Sequence, residues 1–194
     1  MARHKDGFPA DVDLVVLDDR FGRITLTGRV IEGWVEVRGD TVPTVRLERD
    51  AGARTDREVR MGSRDSRRLR LTVDGRRARV RAGRSGWTRR ARRTRVFLPD
   101  RIVHLHPFSD TRSRLHRSRR VLGPLRLPRR PLGKIREEPH RRHEPAGRVA
   151  TRWYRTAGRV TPLDAAVGYA LVTAFGAGSE TIVGLDLFDI GSGV

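Results

Sequence analysis

Arginine, histidine and aspartate are the residues whose spacing in this chain suggests chemistry, and arginine leads. The run Arg76–Arg95 contains nine further arginines after Arg76 and sets Trp87 among them, in Arg84-Ser-Gly-Trp-Thr-Arg-Arg. Guanidinium groups pair bidentately with phosphates and an indole stacks on a base. Arg76, Arg77, Arg79, Arg81, Arg84, Trp87, Arg89 and Arg90 therefore form a candidate polyanion-binding set. The blander reading is a solvated basic face with Trp87 turned into the core, where tryptophan is usually mostly buried.

His104 and His106 fall on one face of an expected strand, a spacing that suits a metal. No third ligand is signalled nearby, and an ordinary polar face is the better reading. His140 and His143 lie in Glu137-Glu-Pro-His-Arg-Arg-His-Glu144, where the arginines oppose a cation and Pro139 and Pro145 oppose an ordered helix, so no metal site is assigned there. Asp186 and Asp189 close the apolar run Thr181–Phe188. Ligands gather beyond the carboxyl ends of strands in open α/β sheets, so these two aspartates are placed to meet a ribose, a sugar hydroxyl or a metal, with solvated loop acids as the plainer alternative.

The elements that must position these residues differ along the chain. Residues 1–11 are polar and read as a flexible N-terminus. Val12–Leu17, Arg23–Ile31, Trp34–Arg38 and Val42–Glu48 alternate as half-buried antiparallel strands do. Residues 50–68 read as a long loop with one short strand at Glu58–Met61. Leu69–Val73 and Arg76–Arg81 flank Asp74-Gly75, a pair that supplies the positive φ angles of a type I′ hairpin turn. Arg95–Leu98 and Arg101–His106 complete a β-rich domain over 12–106.

From 107 to 159 prolines interrupt an arginine-dense stretch, which reads as a basic connector, partly disordered, with Thr111–Leu122 as its one plausible helix. At Thr161 the composition changes. Thr161, Pro162 and Asp164 form a capping box with proline at the first helical position. Ala165–Phe175 has no strongly polar face and predicts a buried helix, ended by Gly176 and Gly178. With Thr181–Phe188 as a buried strand, 160–194 reads as a Rossmann-like helix–strand unit. The fold class expected is α+β, antiparallel in its N-terminal part.

Gly176-x7-Gly184-Leu185-Asp186, preceded by an alanine-rich helix and by Trp153-Tyr154-Arg155-x-x-Gly158-Arg159, resembles the late helix–strand segment of sialyltransferase-like glycosyltransferases. A similar ending also occurs in a broader set of Rossmann-like proteins. The resemblance covers residues 153–189 and implies sugar transfer from a nucleotide sugar, with Asp186 and Asp189 at the donor. The early glycine-rich, asparagine-bearing donor motif of such enzymes has no counterpart here, so no catalytic residue is carried over.

The chain of 194 residues carries 42 basic against 23 acidic residues, a net charge of +19. Such a charge attracts phosphate polymers and anionic surfaces. Only Lys5 and Lys134 are lysine, an imbalance that GC-rich coding alone also produces. There is no cysteine, hence no disulfide or thiolate site. No Walker or dinucleotide glycine loop is present, and no cofactor is expected. Lacking a signal-type run or a stretch of ~18 apolar residues, the chain is expected to be cytoplasmic. Three functions remain in view: a glycosyltransferase-like protein, whether competent, truncated or inactive; a non-enzymatic binder of nucleic acid or another polyanion through the arginine-rich ribbon and connector; and a product with no evolved activity.

Overall fold

The computed structural model describes residues 11–29, 31–52, 61–83, 91–107, 112–126 and 160–176. They form ten antiparallel strands in chain order and one helix. The strands are β1 (Val12–Asp18), β2 (Gly22–Arg29), β3 (Trp34–Gly39), β4 (Val45–Arg49), β5 (Leu69–Val73), β6 (Arg76–Arg81), β7 (Thr94–Phe97), β8 (Ile102–Pro107), β9 (Arg112–Arg117) and β10 (Arg120–Arg126); the helix is α1 (Pro162–Phe175). Each strand pairs with its neighbours in sequence, so β1 and β10 are the edges among the described residues.

Alternation sets the two faces of this meander. Ile24 and Leu26, Val35 and Val37, Val45 and Leu47, Leu69 and Leu71, Val96, Val103 and Leu105, Leu115, and Leu122 and Leu125 all point to the buried side. The sheet bends at β6, whose first half pairs with β5 (Leu71 opposite Ala78) and whose second half pairs with β7 (Val80 opposite Val96). Both ends of the meander consequently reach α1, which packs on β2, β3 and β4 and also on β8, β9 and β10.

The helix is enclosed because it has no face that prefers water. Every residue from Asp164 to Phe175 is buried. Each large apolar side chain so enclosed contributes about 1.5–3 kcal/mol relative to exposure. Close approach depends on Gly168: a Cβ there would stand 2.8 Å from Leu115 Cδ2 and 3.1 Å from Leu125 Cδ1. The expected capping box is present, with Thr161 Oγ1 accepting from the Asp164 amide at 3.3 Å and Asp164 Oδ2 accepting from the Thr161 amide at 3.0 Å.

Two polar ties fix the helix in the sheet. Arg117 Nη1 on β9 donates to Asp164 Oδ2 at 3.0 Å, and Arg101 Nη1 lies 3.7 Å from Asp164 Oδ1. Tyr169 donates its hydroxyl to Asp18 Oδ2 at 2.5 Å, while Asp18 Oδ1 accepts from the amides of Arg20 and Phe21. The first tie binds the late strands and the second binds β1.

This architecture corrects the expected fold class. The described chain is largely all-β, and α1 is the filling of a curled antiparallel sheet rather than one layer of a Rossmann-like unit. A helix apolar on every side needs cover on every side, which a single flat sheet does not provide. The helix expected over Thr111–Leu122 is replaced by β9 and β10, which turn through Ser118 at φ 54°. Both strands extend the sheet into residues read as connector. The strand expected at Thr181–Phe188, all of Glu58–Met61 except Met61, and residues 127–159 lie outside the described residues. No helix among the described residues is long and apolar enough to cross a membrane.

Candidate polyanion interface

Charge is distributed unevenly between the two arms of the meander. Residues 11–52, which carry β1–β4, hold six arginines and nine carboxylates; residues 61–126, which carry β5–β10, hold twenty-one arginines and four carboxylates. In the first arm carboxylates answer the strand arginines Arg29, Arg38 and Arg46. Arg29 bonds Asp13 at 3.0 Å, Arg38 bonds Glu36 at 2.6 Å, and Arg46 reaches Glu48 at 2.6 Å and Glu36 at 3.4 Å. Arg46 also lies 4.4 Å from the Trp34 ring centroid.

On β6 the inward positions Ala78 and Val80 are apolar, so alternation sends its arginines to the outer face. Arg77, Arg79 and Arg81 project outward from β6 and are exposed, while Arg76 is exposed at the hairpin end. Asp74 and Gly75 have φ values of 46° and 77°, as the expected tight turn requires. None of these four arginines meets a carboxylate among the described residues. Register then lays the outer side chains in rows across the strands. Arg81 stands opposite Arg95, Arg95 opposite His104, and His104 opposite His116. Beside that row, Arg79 faces Phe97 with its guanidinium carbon 5.1 Å from the ring centroid, and His106 faces Arg114.

Like charges directly opposite one another, as Arg81 and Arg95 are, destabilise a sheet. At the same edge a cleft of about 480 Å³ is lined by Arg64, Arg67, Arg81, Arg93 and Arg95, with Asp65 as its one carboxylate. Its wall is held by short polar ties: Asp65 Oδ1 accepts from the Arg67 amide at 3.0 Å, and Ser66 Oγ accepts from the Ala82 amide at 3.0 Å. Gly83 allows the closest approach, because a Cβ there would fall 2.3 Å from the Arg92 carbonyl carbon.

The histidines form a compact group of flat rings. His106 and His116 stack at 4.2 Å between centroids, and His104 meets His106 edge-on at 5.8 Å. Burial holds His104 below the usual histidine range, and the positive charges of Arg95 and Arg93 add to the effect. Burial, then His116 and Arg93, push His106 down to about 3. His116 is lowered by burial and by Arg93 and Arg114. All three rings are therefore neutral near pH 7. No group of three His, Cys, Asp or Glu among the described residues is arranged to hold a metal.

The structure thus assembles Arg77, Arg79 and Arg81 with residues that the sequence did not single out, namely Arg64, Arg67, Arg95, Phe97, Arg114 and His116. His116 was hidden inside the expected helix; the period-two spacing of Ser113, Leu115 and Arg117 is the signal that reveals it as an outward residue of a strand. Arg84, Trp87, Arg89 and Arg90 lie outside the described residues, as do Asp186, Asp189, His140 and His143. Comparison of the chain with family models, with curated proteins and with solved structures gave no match.

Proposed function

We propose that this protein binds nucleic acid through the outer face of β5–β9, gripping the phosphate backbone with arginine. The observation that carries the reading is the segregation of charge within one continuous sheet. A coding bias toward arginine acts on both arms alike, yet it is in the second arm that neighbouring arginines, Arg76, Arg77, Arg79 and Arg81, stand together without a carboxylate partner among the described residues. Cations displayed this way attract phosphate and release its counterions, which makes the association tight at low salt and tolerant of sequence.

The test is titration of a labelled oligonucleotide over a range of salt concentrations. Wild type is expected to show log affinity falling linearly with log salt. Replacing Arg77, Arg79, Arg81 and Arg95 together with Ser is expected to reduce the slope by ~0.7–0.9 for each phosphate that the variant no longer neutralises. A control that removes three charges rather than four replaces the exposed Arg20, Arg23 and Arg38 of the first arm and is expected to leave the slope in place. Equal slopes for wild type and the β6–β7 variant overturn this assignment of the face.

A further inference from the structure

The face carries more than charge, and its second component selects among nucleic acids. Four flat rings, Phe97, His104, His106 and His116, are half-buried on the same side of the sheet as Arg79, Arg81, Arg95 and Arg114. The three histidines form one group beside these cations, and Phe97 faces Arg79. We propose that the ligand of this face is a single-stranded nucleic acid, with its phosphates in the arginine cleft and along Arg81 and Arg95, and its unstacked bases laid on the rings of Phe97, His104, His106 and His116. This inference rests on the nucleic-acid reading above.

Three features favour a single strand over a duplex. Arg81 and Arg95 belong both to the cleft and to the row that leads to His104 and His116, so the phosphate path and the ring platform are continuous. From β6 to β9 that row crosses three strand spacings, roughly 14 Å. Paired bases are stacked on one another inside a duplex and present only their edges, whereas the bases of a single strand offer whole faces to aromatic side chains.

The usual devices for entering a duplex groove are also occupied within the fold. The only helix among the described residues is buried along its length from Asp164. The β5–β6 hairpin is built into the sheet, with β5 paired to β4 and the second half of β6 paired to β7. Neither is free to lie in a major groove. Neutral imidazoles are the third feature, because a stacking surface among arginines gains from rings that add no further charge to the crowd. The His106–His116 pair is already stacked in parallel fashion, and a base extends such a stack from its outer side.

The decisive experiment measures anisotropy of four labelled or competing probes with the full chain: a thymidine 20-mer, its abasic counterpart with the same phosphates, a duplex of the same length, and heparin. The proposal expects the thymidine strand to bind at least about ten-fold more tightly than the abasic strand, in line with base–aromatic stacking. It also expects the variant Phe97→Ala with His116→Ala to lose that advantage while keeping its affinity for heparin. Equal binding of thymidine and abasic strands by wild type overturns the single-strand inference and leaves the phosphate-gripping reading standing; tighter binding of the duplex does the same. Absence of binding to every probe overturns both. The abasic comparison uses the wild-type chain, so it decides the matter even where the double variant fails to fold.

Discussion

The two arms of the meander share one core and one backbone plan but differ in what their outer faces do with arginine. In β1–β4 the outward Arg29, Arg38 and Arg46 are answered by carboxylates, as Arg46 is by Glu36 and Glu48, while Arg23 on β2 is exposed. On the outer face of β6–β9, by contrast, Arg81 stands opposite Arg95, Arg79 opposite Phe97 and Arg114 opposite His106. The ion pairs of Arg101 and Arg117 serve the helix start or a neighbouring aspartate. Same fold and same coding pressure thus accompany an excess of carboxylates over arginines in one arm and a large excess of arginines in the other. Surface composition separates from core composition because period-two alternation lets each face answer to its own demand.

The comparison is most strongly broken by removing what the arms hold in common. Leu171→Ala, at a fully buried helix position, is expected to cost about 2–5 kcal/mol and to lower the melting temperature of the whole unit in one transition. Two separated transitions would show that the arms fold independently. Gly83→Val acts on the basic arm alone, since its side chain meets the backbone at Arg92; a loss of about 3 kcal/mol is expected, with weaker phosphate binding from a displaced cleft. Retained stability and affinity would deny that the cleft is tightly built.

Tyr169→Phe removes the hydroxyl that reaches Asp18 and is expected to destabilise by about 1–3 kcal/mol without altering oligonucleotide affinity at a temperature where the variant is folded. A change in affinity would tie the first arm to the interface. The smallest expected effect is that of Arg46→Ala, about 1 kcal/mol, because this half-exposed cation loses partly screened pairs and its position over Trp34. Calorimetric melts rank the four.

Acid sharpens the contrast from another direction. The folded pKa values of His104, His106 and His116 lie below the ordinary value of 6.5, so the unfolded chain takes up protons first as pH falls. Their neutral forms support the fold fully above about pH 6.5, and that support is progressively lost on acidification toward about 3, where His106 itself charges. The groups facing them are Arg93 and Arg95 on the β7 side and Arg114 on β9, all of which oppose protonation. His106→Phe is expected to lessen the fall in melting temperature between pH 7 and pH 4. An unchanged acid profile would remove the histidines from the account.

Legibility in the sequence followed the reach of the forces involved. Local rules gave the Asp74-Gly75 hairpin, the positions of most strands from Val12 to Pro107 to within a few residues, and the Thr161–Asp164 cap, because each depends on neighbours in the chain. The strand β9 escaped because its inward face reads Ser113, Leu115, Arg117, and an inward arginine makes sense only once Asp164, 47 residues later, is in place. The surroundings of α1 escaped for the same reason: its sequence declares that it is buried but not by what. In the candidate site Arg77, Arg79 and Arg81 were visible by alternation, whereas their conjunction with Phe97, His104 and His116 depends on register across four strands.

The order of elements along the chain has a consequence for synthesis. All ten described strands are made before the helix that fills them, and residues 127–159 separate the two. At roughly 5–20 residues per second, the strands wait several seconds with Leu47 on β4, Leu115 on β9 and their neighbours lacking the helix that packs on them. Completion of the interior therefore comes after synthesis of the strands, by the time that this intervening stretch takes.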